Sequence, residues 1–511
     1  MLRLAFVALT TGQQLLAGGQ TFNRRLDFLE QDLWQVAFDV EKGSNDSYVV
    51  MLASYFTDSV MYWTTFGTMR IGADGVQLEQ RAYPDYYNST YPGLVNGAQR
   101  LPDGGYIVGG SRYGPDTDGY TRLVRLTPAL DTTWVRIFGD VGTEWIGRSA
   151  IGVKDGGFLV CGETSSVGVI DAFIIKTDST GTEEWRRNYG SATYWDFATS
   201  LDTTEGEGYF VGAGSQNSAT NGEMWVLRIT DNGDTLWTNK WGGPYDDAIA
   251  CLSTLASGNP IVAGAWGFAA EFDLTQAYMA ELDKNDGHII WERWYGPIVN
   301  RTALRVPKEV APGQGCIVSG FDFEASSINF FRGILLRTAA NGDSLWMRSY
   351  FYYDSLMTNG TGEFKDVIPT EDGGFIACGY TQGAYQSTYP PGYNQDVWVV
   401  KVDSLGCIVP GCDLPMITAQ ITNLGHALSV YPNPVRDQLH VGINLPTGFR
   451  TEGQLDLSVV GMDGKLVRQE LVPTSQPNEM VLDVAGLAPG AYTVHLSDAH
   501  TWIAGKKFVV E

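Results

Sequence analysis

The chain has 511 residues, a formal net charge of −24 and 44% hydrophobic residues. That length implies more than one domain, and that apolar content excludes wholesale disorder. The acidity excludes a nucleic-acid or anionic-membrane partner, because a phosphate surface needs Lys and Arg; it fits a secreted protein kept soluble by charge.

Residues 1–19 read as a secretory signal: Arg3 is the charged start, Leu4 to Thr11 the apolar region, and Ala17-Gly18-Gly19 the small residues before a cut. No uninterrupted apolar run reaches membrane-spanning length, so no membrane-spanning segment is expected. The 61 Gly and the aromatics (15 Trp, 25 Tyr, 22 Phe) suit many short strands joined by tight turns.

Asp155 to Gly190 shows the pattern most clearly. A turn at Asp155-Gly156-Gly157 precedes an apolar strand, Phe158 to Cys161. A polar loop follows, then a strand from Ala172 to Lys176, a turn at Asp178-Ser179-Thr180-Gly181 and a strand carrying Trp185 and Tyr189. The turn that opens the second strand recurs at Ser47, Gly105, Gly157, Gly208, Asn259, Gly315 and Gly374, in steps of 58, 52, 51, 51, 56 and 59 residues. The closing strand recurs at Trp134, Trp185, Trp237, Trp291 and Trp346, each followed four residues later by an aromatic (Phe138, Tyr189, Trp241, Tyr295, Tyr350). Seven units of about four strands predict an all-β chain whose main domain, residues 20–412, is a seven-bladed β-propeller. Small residues in Phe197–Ser200 and Ala248–Cys251 suit inner strands crowded around an axis.

The seventh unit lacks a Trp strand, whereas Phe22 and Leu26 reproduce its spacing with no blade before them. A segment from about Gln20 to Asp27 is therefore expected to close blade seven, since an open ring leaves two unpaired edges.

Histidine is scarce: His288 alone precedes residue 413, in a turn, which excludes a Ser-His-Asp triad or a multi-histidine metal site. Asp196, Asp247 and Glu363 each stand near the start of an inner strand. They are candidates for a ring of acids at one mouth of the channel that would hold Ca²⁺, an amine or a sugar, or else ordinary turn caps. Two aromatic loops, with Tyr86, Tyr87 and Tyr91 between blades one and two and Tyr385, Tyr389 and Tyr393 within blade seven, emerge on one face. Exposed Tyr beside Asn, Ser and Gly suits recognition of a glycan or a protein; packing of the loops onto the ring is the alternative. Cys161 and Cys378 read as buried fillers, and Cys407 and Cys412 as a disulfide stapling the end of the ring.

From about His426 the pattern changes to alternating apolar positions with frequent turns, which predicts a small Ig-like β-sandwich over residues 428–511 after a linker at 413–427. Tyr431-Pro432-Asn433-Pro434, the Asp463-Gly464-Lys465 turn, the Leu487…Gly490-x-Tyr492 element and a final strand with Lys506-Lys507 resemble the C-terminal sorting domain of the type IX secretion system of Gram-negative bacteria. The resemblance implies export to the cell surface or medium, the secretion machinery as partner, and removal of the sandwich on the way. The repeats are similar to extracellular propellers fused to such domains, and share D-x-x-G-x-x-x-W (Asp178, Gly181, Trp185) with quinoprotein propellers. The absence of an adjacent Cys-Cys pair, together with seven blades, counts against a quinone cofactor. The expected function is a non-enzymatic glycan- or protein-binding module without a cofactor. A polysaccharide hydrolase or lyase using channel carboxylates, and a structural surface component, are the alternatives.

Overall fold

The computed structural model describes every residue except 1–19, 30–33, 58–61, 86–87, 115–118, 167–168, 192–194, 219–220, 268–273, 298–299, 325–329, 353–360, 383–394, 410–419, 422–426, 446–453, 462–465, 474–477 and 499–500. Its larger part is a ring of seven antiparallel blades whose strands run outward from the axis in chain order. Blade four shows the plan: Trp195–Thr203 innermost, then Tyr209–Ser218, Asn221–Ile229 and Thr235–Trp241. The other innermost strands are Gln35–Lys42, Ser89–Pro92 with Ala98–Arg100, Glu144–Gly152, Ala248–Thr254, Arg301–Glu309 and Thr361–Pro369. Because strand direction alternates, inner strands begin on one face of the ring (the opening face) and end at tight turns, Asp-Gly in blades two, three and seven, on the other (the turn face).

Blade seven takes its outermost strand from the start of the chain: Phe22–Leu26 pairs antiparallel with Gln395–Val402 over Phe22↔Lys401 to Leu26↔Val397. Trp398 Nε1 donates to Asn23 Oδ1 at 2.6 Å, Asn23 Nδ2 donates to the Phe351 carbonyl at 2.7 Å, and Arg25 is ion-paired with Asp396.

The repeated Trp and Gly meet across blade boundaries. The positive-φ turn glycine of each of blades three to seven lies under the closing-strand Trp of the blade before it: Gly181 under Trp134, Gly233 under Trp185, Gly287 under Trp237, Gly342 under Trp291 and Gly406 under Trp346. Phe22 covers Gly75 at the seam. At Gly342 (φ 81°) a Cβ would stand 2.5 Å from the Trp291 ring, so glycine is favoured by the conformation and required for space. The second aromatic of the closing strand fixes the same turn: Tyr189 donates to the Gly233 carbonyl at 2.6 Å, Tyr295 to that of Gly342 at 2.6 Å, and Tyr350 to that of Gly406 at 2.8 Å. Glu79 stands at the Trp position of blade one, and the facing turn carries Leu130 at φ 64° in place of glycine; Tyr83 still donates to its carbonyl, at 2.7 Å.

The C-terminal part is a sandwich of a five-stranded and a three-stranded sheet around a core that includes Leu439, Leu457, Leu496 and Phe508. Gln420–Ile421 runs parallel to Thr501–Trp502 at its edge, so the expected linker at 413–427 contains a strand of the sandwich. A two-residue edge pairing depends on a distant strand and leaves no local pattern.

Removing residues 20–27 opens blade seven on one side. Phe22→Ala alone is expected to cost about 3–5 kcal/mol, as buried aromatic truncations do. The deletion should lower the melting temperature further; truncated protein that melts like wild type would refute closure by this strand.

Candidate functional site

The inner strands share one irregularity. In six blades the register with the second strand slips at the same level: between Ala37 and Asp39, Gly147 and Ser149, Ala198 and Ser200, Ile249 and Cys251, Leu304 and Pro307, and Phe364 and Asp366. A bulge adds a residue to one strand, increases its twist and re-aims the extra side chain. Arg148, Thr199, Ala250 and Arg305, all at bulges, line a cavity of 210 Å³ on the axis.

In blade two the bulge has grown into a loop. Pro92 pairs with Gly110 and Ala98 with Val108, so residues 93–97 stand opposite Gly109 alone. Gly93 N donates to the Gly109 carbonyl at 2.7 Å and Gly109 N to that of Gly97 at 2.8 Å, which closes the neck. A Cβ on Gly93 would strike the Arg148 carbonyl and Gly97 Cα, so only glycine fits there. Val95, at the tip, packs on Cys251 and Val306 of blades five and six. The Asn96 carbonyl accepts from Ser149 Oγ at 2.8 Å, and its Oδ1 accepts from Lys308 Nζ at 2.7 Å. The loop plugs the channel. The spacing Gly93-x-x-x-Gly97 next to an inner strand was the available signal, and sequence reading passed over it.

On the opening side of the plug, cations line the mouth. Arg148 Nη2 meets both Glu163 oxygens at 3.0 Å, and its guanidinium lies over Phe197 at 5.4 Å. Arg305 lies over Phe321 at 5.2 Å and donates to Glu363 Oε1 through Nε at 2.7 Å, while Lys365 Nζ reaches Glu363 Oε2 at 2.9 Å. Burial pushes the Glu363 carboxyl up, but Arg305 and Lys365 outweigh it and hold it below its ordinary range. Aromatics lie on this face: Trp34 against Tyr55 (centroids 4.8 Å apart) and Tyr380 and Tyr91 packed on Val36 and Phe38 in blade one, and, farther out, Trp266 edge-on to Trp294 in blade five. Trp195, 54% exposed, opens the inner strand of blade four on the same face.

On the turn side, Lys308 shares the channel with Asp39, Glu41 and Asp366. Burial would lower the lysine, but Asp366 and Glu41 hold it above its ordinary value. Burial, then Asp366 and Glu41, push Asp39 well up. Burial raises Glu41 to about 7, with Lys308 opposing. A larger groove of 990 Å³ lies on the turn face, but its Arg125 pairs with Asp103 and its Lys154 binds the Glu205 and Gly206 carbonyls, at 3.0 and 2.5 Å.

The three acids singled out from sequence take separate places. Asp196, fully buried, accepts from Ser191 N at 2.8 Å and from Lys240 Nζ at 3.3 Å. Asp247 accepts from the amides of Gly243 and Gly267, and burial raises it to about 6. Both cap the connection into their blade, and among the described residues no hydrogen bond or ion pair joins either of them to Glu363. Of the six tyrosines only Tyr91 lies within the described residues; it accepts from Thr64 Oγ1 at 2.8 Å and meets Tyr113 edge-on. Tyr86, Tyr87, Tyr385, Tyr389 and Tyr393 lie outside them. Cys161, Cys251, Cys316 and Cys378 are buried and free. Cys407 is buried and Cys412 lies outside the described residues. His288 Nδ1 lies 2.6 Å from Asp286 Oδ1 in an exposed turn; with Asp283 the ligand atoms come within 4.8 Å of one another, an arrangement acidic turns reach without an ion.

In the sandwich, Asn433 acts as a strand mimic: its Oδ1 accepts from Val509 N at 2.9 Å. Tyr431 stacks on His440 at 5.0 Å and donates to Glu479 at 2.7 Å, and Tyr492 stacks on Phe508. The Asp463-Gly464-Lys465 turn lies outside the described residues.

The raised Glu41 carboxyl has a signed consequence. With a folded pKa near 7 against an ordinary 4.5, wild type loses stability as pH rises from about 4.5 through 7. Glu41→Gln removes that loss, so the variant should melt above wild type at pH of about 8, with the gap closing as pH falls toward about 4.5. Parallel melting curves across that range would contradict the raised carboxyl.

None of the curated proteins matches the chain in sequence. Solved structures similar to it include puromycin hydrolase (12% identity, TM-score 0.35, covering 68% of this chain and 58% of that one). Others are the WD40 domain of SCAP from fission yeast (6%, TM-score 0.35, 75% and 98%) and a family 43 β-1,3-galactosidase (10%, TM-score 0.29, 75% and 95%). The chain thus spans 58% of the length of the first, and the architecture rests on the strand pairing above. Among the described residues no helix is long and apolar enough to cross a membrane. Residues 429–511 match the family described as the secretion system C-terminal sorting domain. The protein is therefore a β-propeller joined to a type IX sorting domain, secreted or displayed on the outer surface of a Gram-negative bacterium.

Proposed function

We propose that the propeller is a non-enzymatic binding module that takes a glycan or protein on its opening face. The observation that carries this reading is the grouping of Trp34, Tyr55, Tyr91, Tyr380 and the exposed Trp195 around a cationic, plugged mouth. Flat aromatic surface beside fixed polar groups suits sugar faces and protein side chains alike. A carboxylate hydrolase finds less support, because Asp196 and Asp247 serve backbone amides and Glu363 is held ionised between two cations. A glycan array probed with the mature propeller tests the reading. Binding without release of shorter chains is expected, weakened about tenfold by Trp195→Ala or Trp34→Ala. Release of products would favour the hydrolase, and silence toward glycans and surface proteins the structural component.

The sandwich is proposed to be the export signal, cleaved away on the surface. Since Gln420–Ile421 belongs to the sandwich edge, the mature C-terminus is expected between Cys412 and Gln420. A chain ending at residue 427 should stay in the periplasm with its ring complete. Mass spectrometry of the surface form without reduction should show both that terminus and a Cys407–Cys412 peptide. Surface delivery of the truncated chain at normal levels, or free thiols at both cysteines, would overturn the respective proposals.

A further inference from the structure

The axial cavity on the opening side of the plug has a shape and charge that narrow the ligand. Its lobe over blades four and five is lined by small residues, Thr199, Ala250 and Ala265, and it is flanked by Arg148 of blade three and Arg305 of blade six. Leu94 and Val95 of the plug form part of its wall, so a ligand enters from the opening face and ends there. A volume of 210 Å³ lies below the usual range for drug-sized ligands and suits one small ring.

The arginines hold donors in reserve. Glu163 takes Nη2 of Arg148 through both carboxylate oxygens, and among the described residues no hydrogen bond engages its Nη1. A guanidinium with a donor left over can bind an anionic ligand and keep its carboxylate partner. Glu363 takes Nε and Nη2 of Arg305, and among the described residues no hydrogen bond engages its Nη1. Among the two arginines and the groups ion-paired with them, Arg148, Arg305 and Lys365 stand against Glu163 and Glu363, one cation more than the carboxylates, in a chain whose net charge is −24. One residual charge matches a monoanionic carboxylate better than a phosphate dianion, and planar guanidinium groups suit a carboxylate geometrically.

We propose that this pocket binds the terminal uronic acid of an acidic polysaccharide, its carboxylate between Arg148 and Arg305 and its ring over the small-residue lobe. The assignment rests on the opening face being the binding face. The closed floor makes recognition specific to a chain end, because a polymer cannot thread past Val95.

The test is calorimetric titration of the mature propeller with trigalacturonate, with neutral maltotriose and an acidic tripeptide as further probes. Trigalacturonate is expected to bind, and Arg148→Gln and Arg305→Gln each to weaken it on the order of tenfold or more. Because Arg148→Gln leaves Glu163 unpaired, Ala250→Phe serves as a second variant; it fills the lobe with both arginines in place and should abolish binding in protein that melts near wild type. Binding of maltotriose but not trigalacturonate would overturn the uronate assignment and leave the glycan reading of the face standing. Binding of the tripeptide in preference to trigalacturonate would overturn it in favour of a peptide terminus. Trigalacturonate affinity unchanged in all three variants would remove the ligand from this pocket, and no binding of any probe, together with a silent glycan array, would overturn both readings.

Discussion

The ring depends on one contact repeated around it, an indole laid on a glycine of the next blade. Each blade is a four-stranded sheet with two apolar faces, and alone it would bury neither well. Trp on the closing strand reaches over the blade boundary to a turn where a side chain would collide, and the aromatic four residues on ties the carbonyl of that turn. Core clusters accordingly cross boundaries; Cys161 and Ile174 of blade three pack with Ala198, Val211 and Trp225 of blade four. Where blade one carries Glu79 in place of the indole, the facing turn tolerates Leu130, which shows that it is the ring above that excludes a side chain. At the seam Phe22 takes the indole's place, so the two ends of the domain are held by the contact that holds its middle.

The same repetition that builds the ring gives it a variable interior. A bulge at one level of the inner strands presents a side chain to the axis without disturbing the pairing outside it. The residues there differ freely: small at Thr199 and Ala250, guanidinium at Arg148 and Arg305, and in blade two a five-residue loop, 93–97, that crosses to Cys251 and Val306. Binding character can therefore vary at these positions while the blade boundaries stay the same.

Charge is sorted along the axis. Acids on the exposed turns satisfy their own backbone, as Asp178 does for the amides of Thr180 and Thr182 at 2.8 and 2.9 Å. Those within the channel are set against cations: Asp366 and Glu41 against Lys308 on the turn side, Glu363 against Arg305 and Lys365 on the opening side. Burying so many ionisable groups is tolerable only because each gains a partner or shifts its protonation.

Repetition made the fold legible from sequence. Trp spaced by fixed steps, Asp-Gly turns and a stray Phe22-x-x-x-Leu26 were enough to count blades and to identify the strand that closes the ring, because each local element repeats in the same context. The sorting domain was legible for the related reason that its short motifs are local: Asn433 and Tyr492 act on strands within their own sandwich. The interior was decided by tertiary structure alone. Asp196 and Asp247 look like channel acids until the Ser191, Gly243 and Gly267 amides are seen to claim them, and Glu363 until Arg305, fifty-eight residues away, reaches it. Asp39, Glu41, Lys308 and Asp366 lie far apart in sequence and meet only because the ring brings inner strands to one axis. A residue's spacing along a strand reveals which face it is on; what stands across the channel depends on ring closure, which no local pattern records.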